Sequence, residues 1–496
     1  MNNKGVVVLV SVGALALAAL LFFWLRGATP ARADPDTRYV ATIGTDEGND
    51  CKTAANPCTT IQRAIDVADP GDQIHVADGT YTSAIGTVAV ITKELWIIGG
   101  YDPSFNTPDP EVYQTVLDAQ WGGSVISITN AGDVLLMYLI LTHGDGSGNC
   151  GSEGCGGGIY ATGTSLHVGH CVIVDNVGSS TGYCGRGGGI YVHNWFHPAP
   201  AEIWDSQIVS NAAITAGIGR GGGLYLLLAG APAPTTITGN TFEGNVASTV
   251  GEGRGGGVYL YTFRALSTFS HNTFYRNYAS RAAGWGAGGG IYLWYSDGTT
   301  LEANRFLGNT ASALGSGYGG AIYADYSVVL TVTNNLLAEN HASHGGGGLW
   351  LDTWDPSYLI AGTLVNNTLA GNDAGAGGEG ISVGRYVALT LTNNLIAGHT
   401  VGITIAHPTS STISADTNLF WNISDPIVGA NGIREDPLLT SDYHLHAGSP
   451  AVDAGLPVPW LTTDLEGNPR PQGSRYDIGA YEGAVPWEVY LPLVVR

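Results

Sequence analysis

Apolar and polar positions alternate with period two in short runs along most of this chain, and each run is closed by glycine or asparagine. Such runs are strands. Nothing between them has the length or apolar spacing of a helix. One phrase recurs: GGGIY at 156–160 and 187–191, GGGLY at 221–225, GGGVY at 255–259, GGGIY at 288–292, GGAIY at 319–323 and GGGLW at 346–350. Its aromatic residues are 31, 34, 34, 33, 31 and 27 positions apart. A second phrase lies between copies, an apolar residue followed at fixed offsets by a small polar one, an apolar one and Asn. It reads Ile203/Ser206/Ile208/Asn211, Ile237/Asn240/Phe242/Asn245 and Phe269/Asn272/Phe274/Asn277, and it continues to Leu391/Asn394/Ile396 with His399 in the last place.

Two phrases locked together over seven rounds make a solenoid. One unit cannot bury its own apolar face, but stacked copies can when each strand pairs with its equivalent one turn away. The expected fold is all-β, a single parallel β-helix. The aliphatic residue of the first phrase and both apolar places of the second point inward. The Asn rows lie at turns and hydrogen-bond along the stack as Asn ladders do, and the glycines allow a tight or positive-φ approach to each strand. The residues left over in each round, as in NVASTVGEGRGGG, are expected to emerge as loops on one side of the shaft.

These phrases resemble the right-handed parallel β-helix proteins of the pectin-lyase-like superfamily, and also the repeats of polymorphic surface proteins. The resemblance spans about residues 50–440 and implies a right-handed coil. It leaves activity open, since that superfamily holds lyases, hydrolases, adhesins and inert shafts. TIQRAIDVADPGDQIHVADGTY, from Thr60, resembles the opening of many bacterial members. There Thr59 and Gln62 are placed as a capping box for a short helix that closes the end of the solenoid. REDPLLTSDYHLHAGSPAVDAG and TDLEGNPRPQGSRYDIGAYE resemble the choice-of-anchor Q module, which implies a cell-surface role. The expected organisation is a signal peptide or N-terminal membrane anchor over 1–33, an N-terminal segment and cap over 34–84, β-helix repeats over 85–440, a small β module over 441–483 and a tail over 484–496.

Charge and cysteine refine this. Residues 5–25 are uncharged and almost wholly apolar, and Ala31-Arg32-Ala33 reads as a cleavage site, so the body is exported, secreted or held at the cell surface. The formal charge is −22, which argues against nucleic acid or an anionic membrane surface as partner. Any membrane contact is then through the N-terminal segment or a C-terminal anchor. In an exported chain Cys51 and Cys58 are expected to be bridged. Cys171 takes a place held by Ser206 and Asn240 in later rounds and reads as a buried thiol, although six cysteines also allow three bridges. Asp464, Glu466 and Asn468 have the opening spacing of a calcium loop, but Pro469 stands where its Gly belongs.

Two candidate sites follow. With the aliphatic residue inward, the next aromatic points out, so Tyr191, Tyr225, Tyr259, Tyr292, Tyr323 and Trp350 form an outward stripe beside Tyr261 and Trp294. This stripe is the expected carbohydrate contact, centred on Tyr259, Tyr292 and Trp294; the competing reading is that it merely covers the sheet under loops. The second candidate is Asp325 and Asp352, outward on adjacent rounds, which could share a proton or cation. Arg186, Arg220 and Arg254 should stack in neighbouring rounds. The functional expectation is a non-catalytic exported β-helix surface protein, an adhesin or a shaft that binds an extracellular glycan, with no cofactor. The alternative is a polysaccharide lyase or glycoside hydrolase using Asp325 and Asp352, with calcium only in the lyase case.

Overall fold

The computed structural model describes residues 35–485 apart from 198, 230–234, 264, 327–328, 376–377 and 425–428. The expected leader or anchor and all but the start of the tail lie outside the described residues. Among those described, the one helix is Ile61–Val67 and the remaining regular structure is strand.

Each round adds one rung, and from Ile190 onward equivalent strands pair in parallel without slippage: Val258 faces Ile291, Tyr259 faces Tyr292 and Phe274 faces Phe306. The rung from 255 to 287 uses five strands, Val258–Phe263, Ser267–Ser270, Thr273–Tyr275, Tyr278–Ser280 and Gly286–Ala287. Stacked rungs give sheets of 22, 12, five and seven strands. The residues expected as loops therefore build the two smaller sheets. In the five-stranded sheet the inward residues are small: Ala247, Ala279 and Ala311 are fully buried, and Ser248, Ser280 and Ser312 turn their hydroxyls back to carbonyls, as Ser280 does to Gly251 at 2.8 Å.

The core is one column of Ile, Leu, Val and Phe. Phe242, Phe274 and Phe306 stack at 4.9 and 4.6 Å. The inward assignment of both phrases holds. The Asn rows are buried ladders. Asn277 donates its amide to Asn309 at 2.9 Å, Asn309 does the same to Asn340 at 2.9 Å, and each also takes the backbone N–H of the preceding Asn. In the glycine runs the first residue, such as Gly255, has φ near 66°, and the second has no room for a side chain: a Cβ on Gly222 would sit 2.4 Å from the Gly256 carbonyl oxygen.

At the N-terminal end, Thr37–Val40 pairs with Gln73–Val76, so the sheet starts before the helix. The helix lays Ile61, Ala64 and Ile65 over the open core. Its N-cap is Thr60, not Thr59; the Thr60 hydroxyl accepts the Arg63 N–H at 3.2 Å, while Gln62 bonds Asp66 and Val90 instead of closing a capping box. Cys51 and Cys58 are bridged, as are Cys150 and Cys155, and Cys171 and Cys184 are buried thiols.

The C-terminal segment has little strand beyond the pair Leu445–His446 and Ala484–Val485. It lies along the 12-stranded sheet, with Leu465, Ala480 and Tyr481 on Ala303, Leu336 and Ala338, and Leu445, Ala451 and Ile478 on Leu395, Ala397 and Leu419. Asn334, Asn366 and Asn393 donate to the carbonyls of Thr463, Asp477 and Leu456 at 2.6, 2.8 and 2.9 Å. A fully buried ion pair, Arg470 with Glu482, also reaches Asn334. Asp464 has its oxygens taken by the backbone N–H groups of Glu466, Asn468 and Glu482.

Candidate functional site

The outward face of the long sheet carries two rows, because side chains two apart share a face and every rung repeats in register. The first row is Tyr160, Tyr191, Tyr225, Tyr259, Tyr292, Tyr323 and Trp350. Its rings stack from Tyr191 to Tyr323 with centroids 5.0 to 5.2 Å apart. The row forms, but it is not open. Tyr191, Tyr225, Tyr259, Tyr292 and Tyr323 are between 1% and 7% exposed. Their faces are spent on one another, and the seven-stranded sheet closes over them with Cys155, Ala287, Trp285 and Tyr318. The expectation that Tyr259 and Tyr292 lie at the centre of a ligand-contacting stripe is therefore corrected: the covering role prevails along this row. Burial pushes the Tyr259, Tyr292 and Tyr323 hydroxyls well above their ordinary range.

Arg186, Arg220 and Arg254 stand in register on that covering sheet. Arg186 pairs with Glu153 at 2.6 Å, and Arg254 lies over the Trp285 ring at 5.1 Å.

The row opens where its rings run out. One rung beyond Trp350 the equivalent residue is Ser382, and then Thr404. Beside this end of the row, over the small residues Gly384 and Ala406, lies a cleft of about 310 Å³ walled by Trp285, Tyr318, Trp350, Trp354, Arg385 and His407 and lined also by Asp352. Trp354 is exposed, and the Arg385 guanidinium carbon lies over its ring, 3.2 Å from the centroid. Arg385 Nε donates to His407 Nε2 at 3.2 Å. The Trp350 indole N–H has no partner among the described residues. Trp354, Arg385 and His407 were not singled out from the sequence, because they lie in turns after strands and outside both repeat phrases. The usable signal was the loss of the aromatic place after Trp350.

The second row continues Tyr261, Trp294, Asp325 and Asp352. Tyr261 and Trp294 are half-buried and meet edge to face at 5.1 Å. The two aspartates are brought together in register on the outward face, as expected from sequence, but they are covered: Asp325 is 9% and Asp352 is 5% exposed. Their environments differ. Asp352 accepts the Arg385 backbone N–H at 2.7 Å and lies 3.9 Å from its guanidinium. Gly384 permits that approach, since a Cβ there would meet Asp352 Oδ1 at 2.2 Å. Asp325 has the Tyr292 hydroxyl at 3.4 Å on one oxygen and no partner among the described residues on the other. Burial, and then the charge of Asp352, push Asp325 up to about 7. Of the other acids and histidines near them in sequence, Glu339 bonds Tyr443 and His341 pairs with Asp373. No three His, Cys, Asp or Glu among the described residues converge to hold a metal ion.

Residues 219–418 match the family described as right handed beta helix region, and residues 42–102 match a family of unknown function, DUF1565. No curated protein matches the chain. Similar solved structures include pectate lyase Pel9A, 15% identical over 90% of this chain and 96% of that one with a TM-score of 0.40. XylC in complex with xylose is 12% identical over 90% and 98%, with a TM-score of 0.42. A rhamnogalacturonan lyase is 14% identical over 77% and 87%, with a TM-score of 0.34.

Proposed function

We propose that this chain, a pectin-lyase-like right-handed parallel β-helix, is an exported protein that binds an extracellular polysaccharide in the cleft below Trp350. The observation that carries this reading is the cleft itself: indole and phenol rings, a carboxylate and a guanidinium meet in a space of about 310 Å³. A sugar ring presents a C–H face that packs on aromatic rings and an edge of hydroxyls that bond to charged groups. Asp352 and Arg385 supply acceptor and donor. Half-buried Trp294 and Tyr261 continue the second row, so a polymer engaging several rungs would gain affinity with length. Export fits the apolar segment at 5–25 and the bridges Cys51–Cys58 and Cys150–Cys155, which belong in an oxidising compartment. The mature protein should bind oligosaccharides more tightly as they lengthen, and replacing Trp350 and Trp354 by Ala together should weaken binding at least about tenfold, the loss expected of about 1.4 kcal/mol of ring contact. Unchanged affinity in that double variant on calorimetric titration would remove the cleft as the site.

One observation favours a second reading. A carboxyl that holds its proton near neutral pH beside one kept paired to arginine is the arrangement of a general acid and its partner. Asp325 and Asp352, on adjacent strands, would then act on the glycosidic bond of the bound chain. Release of reducing ends by the parent, lost in both Asp325→Asn and Asp352→Asn with binding retained, is the outcome that supports it.

A further inference from the structure

In each rung the long sheet is built of two strands, and the residues between them form a corner of the shaft. In the rungs from 288 to 359 this corner carries rings. Tyr295 follows the strand Ile291–Trp294, Tyr326 follows Ile322–Asp325, and Tyr358 comes shortly before Ile360–Val365. Tyr295 and Tyr326 stack at 4.7 Å, and the Tyr358 ring stands edge-on to both, 5.0 and 5.6 Å away. Trp294 and Tyr261 of the second row join them, 5.5 and 5.7 Å from Tyr295. All five are half-buried, so each ring keeps part of its surface in solvent.

Core packing does not explain these rings. Tyr295 and Tyr326 hold φ of 49° and 53°, a left-handed conformation that Gly or Asn takes with less strain. At this corner the fully buried side chains are those of Ser296 and Thr353, not the tyrosines. Beside the rings Leu266, Val329 and Leu359 are exposed. Leu266 lies against Gly298, where a Cβ would meet its Cδ2. A continuous apolar and aromatic surface of this kind marks a contact site.

Two observations narrow what it contacts. Burial, and then the carboxylates of Asp325, Asp355 and Asp352, hold the Tyr326 hydroxyl above its ordinary range, so it stays a neutral donor in a negative field. The Arg385 guanidinium is taken up by the Trp354 ring and Asp352. The corner is also continuous with the cleft below Trp350. Trp354, which walls the cleft, and Tyr358 lie on the same connection, between Leu349–Asp352 and Ile360–Val365.

We propose that the polysaccharide held in the cleft is a neutral polymer of flat, equatorially substituted sugars, and that it leaves the cleft over this corner, across Tyr358, Tyr326 and Tyr295. This rests on the reading of the cleft as a polysaccharide site. Such sugars present axial C–H groups on both faces and pack on rings either way up. A polyuronate would instead bring a negative charge on every residue toward Asp352 and Asp355. Rungs about 4.8 Å apart offer rings to successive sugars.

The test is calorimetric titration of the mature protein with cellobiose and cellohexaose, xylobiose and xylohexaose, and hexagalacturonate. In at least one neutral pair the hexaose should bind at least about tenfold tighter than the disaccharide. Tyr295→Ala/Tyr358→Ala should abolish that gain and leave the disaccharide unchanged, whereas Trp350→Ala/Trp354→Ala should weaken both lengths. Tyr295→Phe/Tyr358→Phe keeps the rings and should keep the gain, which separates lost contact from lost fold. The path over the corner is overturned, with the cleft reading intact, if the Ala pair there binds the hexaose like the parent or weakens both lengths alike. The neutral class is overturned if hexagalacturonate binds as tightly as the neutral hexaoses. Failure of every probe to bind the parent at about 10 mM overturns the corner and the cleft together.

Discussion

Asp325 and Asp352 occupy equivalent positions one rung apart, and the protein treats their charges differently. Asp352 faces Arg385, whereas Asp325 is buried against a tyrosine hydroxyl and the charge of Asp352. A carboxyl raised from 3.8 to about 7 on folding binds its proton more tightly in the native state. Between about pH 4 and 7 the unfolded chain has lost that proton while the folded chain keeps it, so stability falls as pH rises through this window, by on the order of 4 kcal/mol, and is level above it. Asp325→Asn keeps an acceptor for Tyr292 and removes the ionisation. Thermal unfolding should show the variant more stable than the parent at pH 8 and equal to it at pH 4; a parent curve rising from pH 4 to 7 would contradict the assignment. That the two aspartates meet was legible from their shared place after the repeat aromatic. Their unequal charges were not, because Arg385 and Gly384 come from rungs that break the repeat.

The stacked side chains act as continuous elements, and the Asn ladders show what that demands. Asn309 takes the backbone N–H and the amide of Asn277 and donates to Phe274 and Asn340. Asn309→Leu would strand several buried polar groups at about 1–3 kcal/mol each. Chemical denaturation should place the variant at least about 3 kcal/mol below the parent; a loss under about 1 kcal/mol would mean the ladder is not bearing this cost. Turn position and side-chain bonding of these asparagines could be read from their spacing. The five-stranded sheet was missed although its signature is plain in NVAS at 245–248, NYAS at 277–280, NTAS at 309–312 and, at the bridge beyond it, NHAS at 340–343. Inward alanine followed by a back-bonded serine lacks the bulky alternation by which strands are usually recognised, so the runs read as loops. The tyrosine row failed for the converse reason. Alternation tells which side of a strand a ring takes, but not whether another sheet will lie on that side.

At the scale of the whole molecule, the C-terminal segment and the shaft fit through a row that the sequence marks. Asn334-Asn335, Asn366-Asn367 and Asn393-Asn394 are doubled, whereas earlier rungs have Asp205-Ser206, Gly239-Asn240 and His271-Asn272. The second Asn of each pair belongs to the ladder. The first, at φ between 53° and 55°, holds the segment. Ending the chain at residue 440 would bare Leu336, Leu395 and Leu419, which the segment now covers. The shortened protein should bind a hydrophobic dye and associate in sedimentation, since an exposed apolar sheet face of this kind is an association surface; a monodisperse, dye-silent product would show that the shaft face needs no cover.

The unslipped parallel register has a consequence for growth. Docking row and cleft both lie beyond residue 284, while the rungs between 187 and 254 touch little but the rungs above and below them. Copies of a 34-residue period could be spliced in there as extra storeys. The protein is in this sense a mast with its working parts at one end. Its reach can be set by gene duplication while the fittings stay as they are.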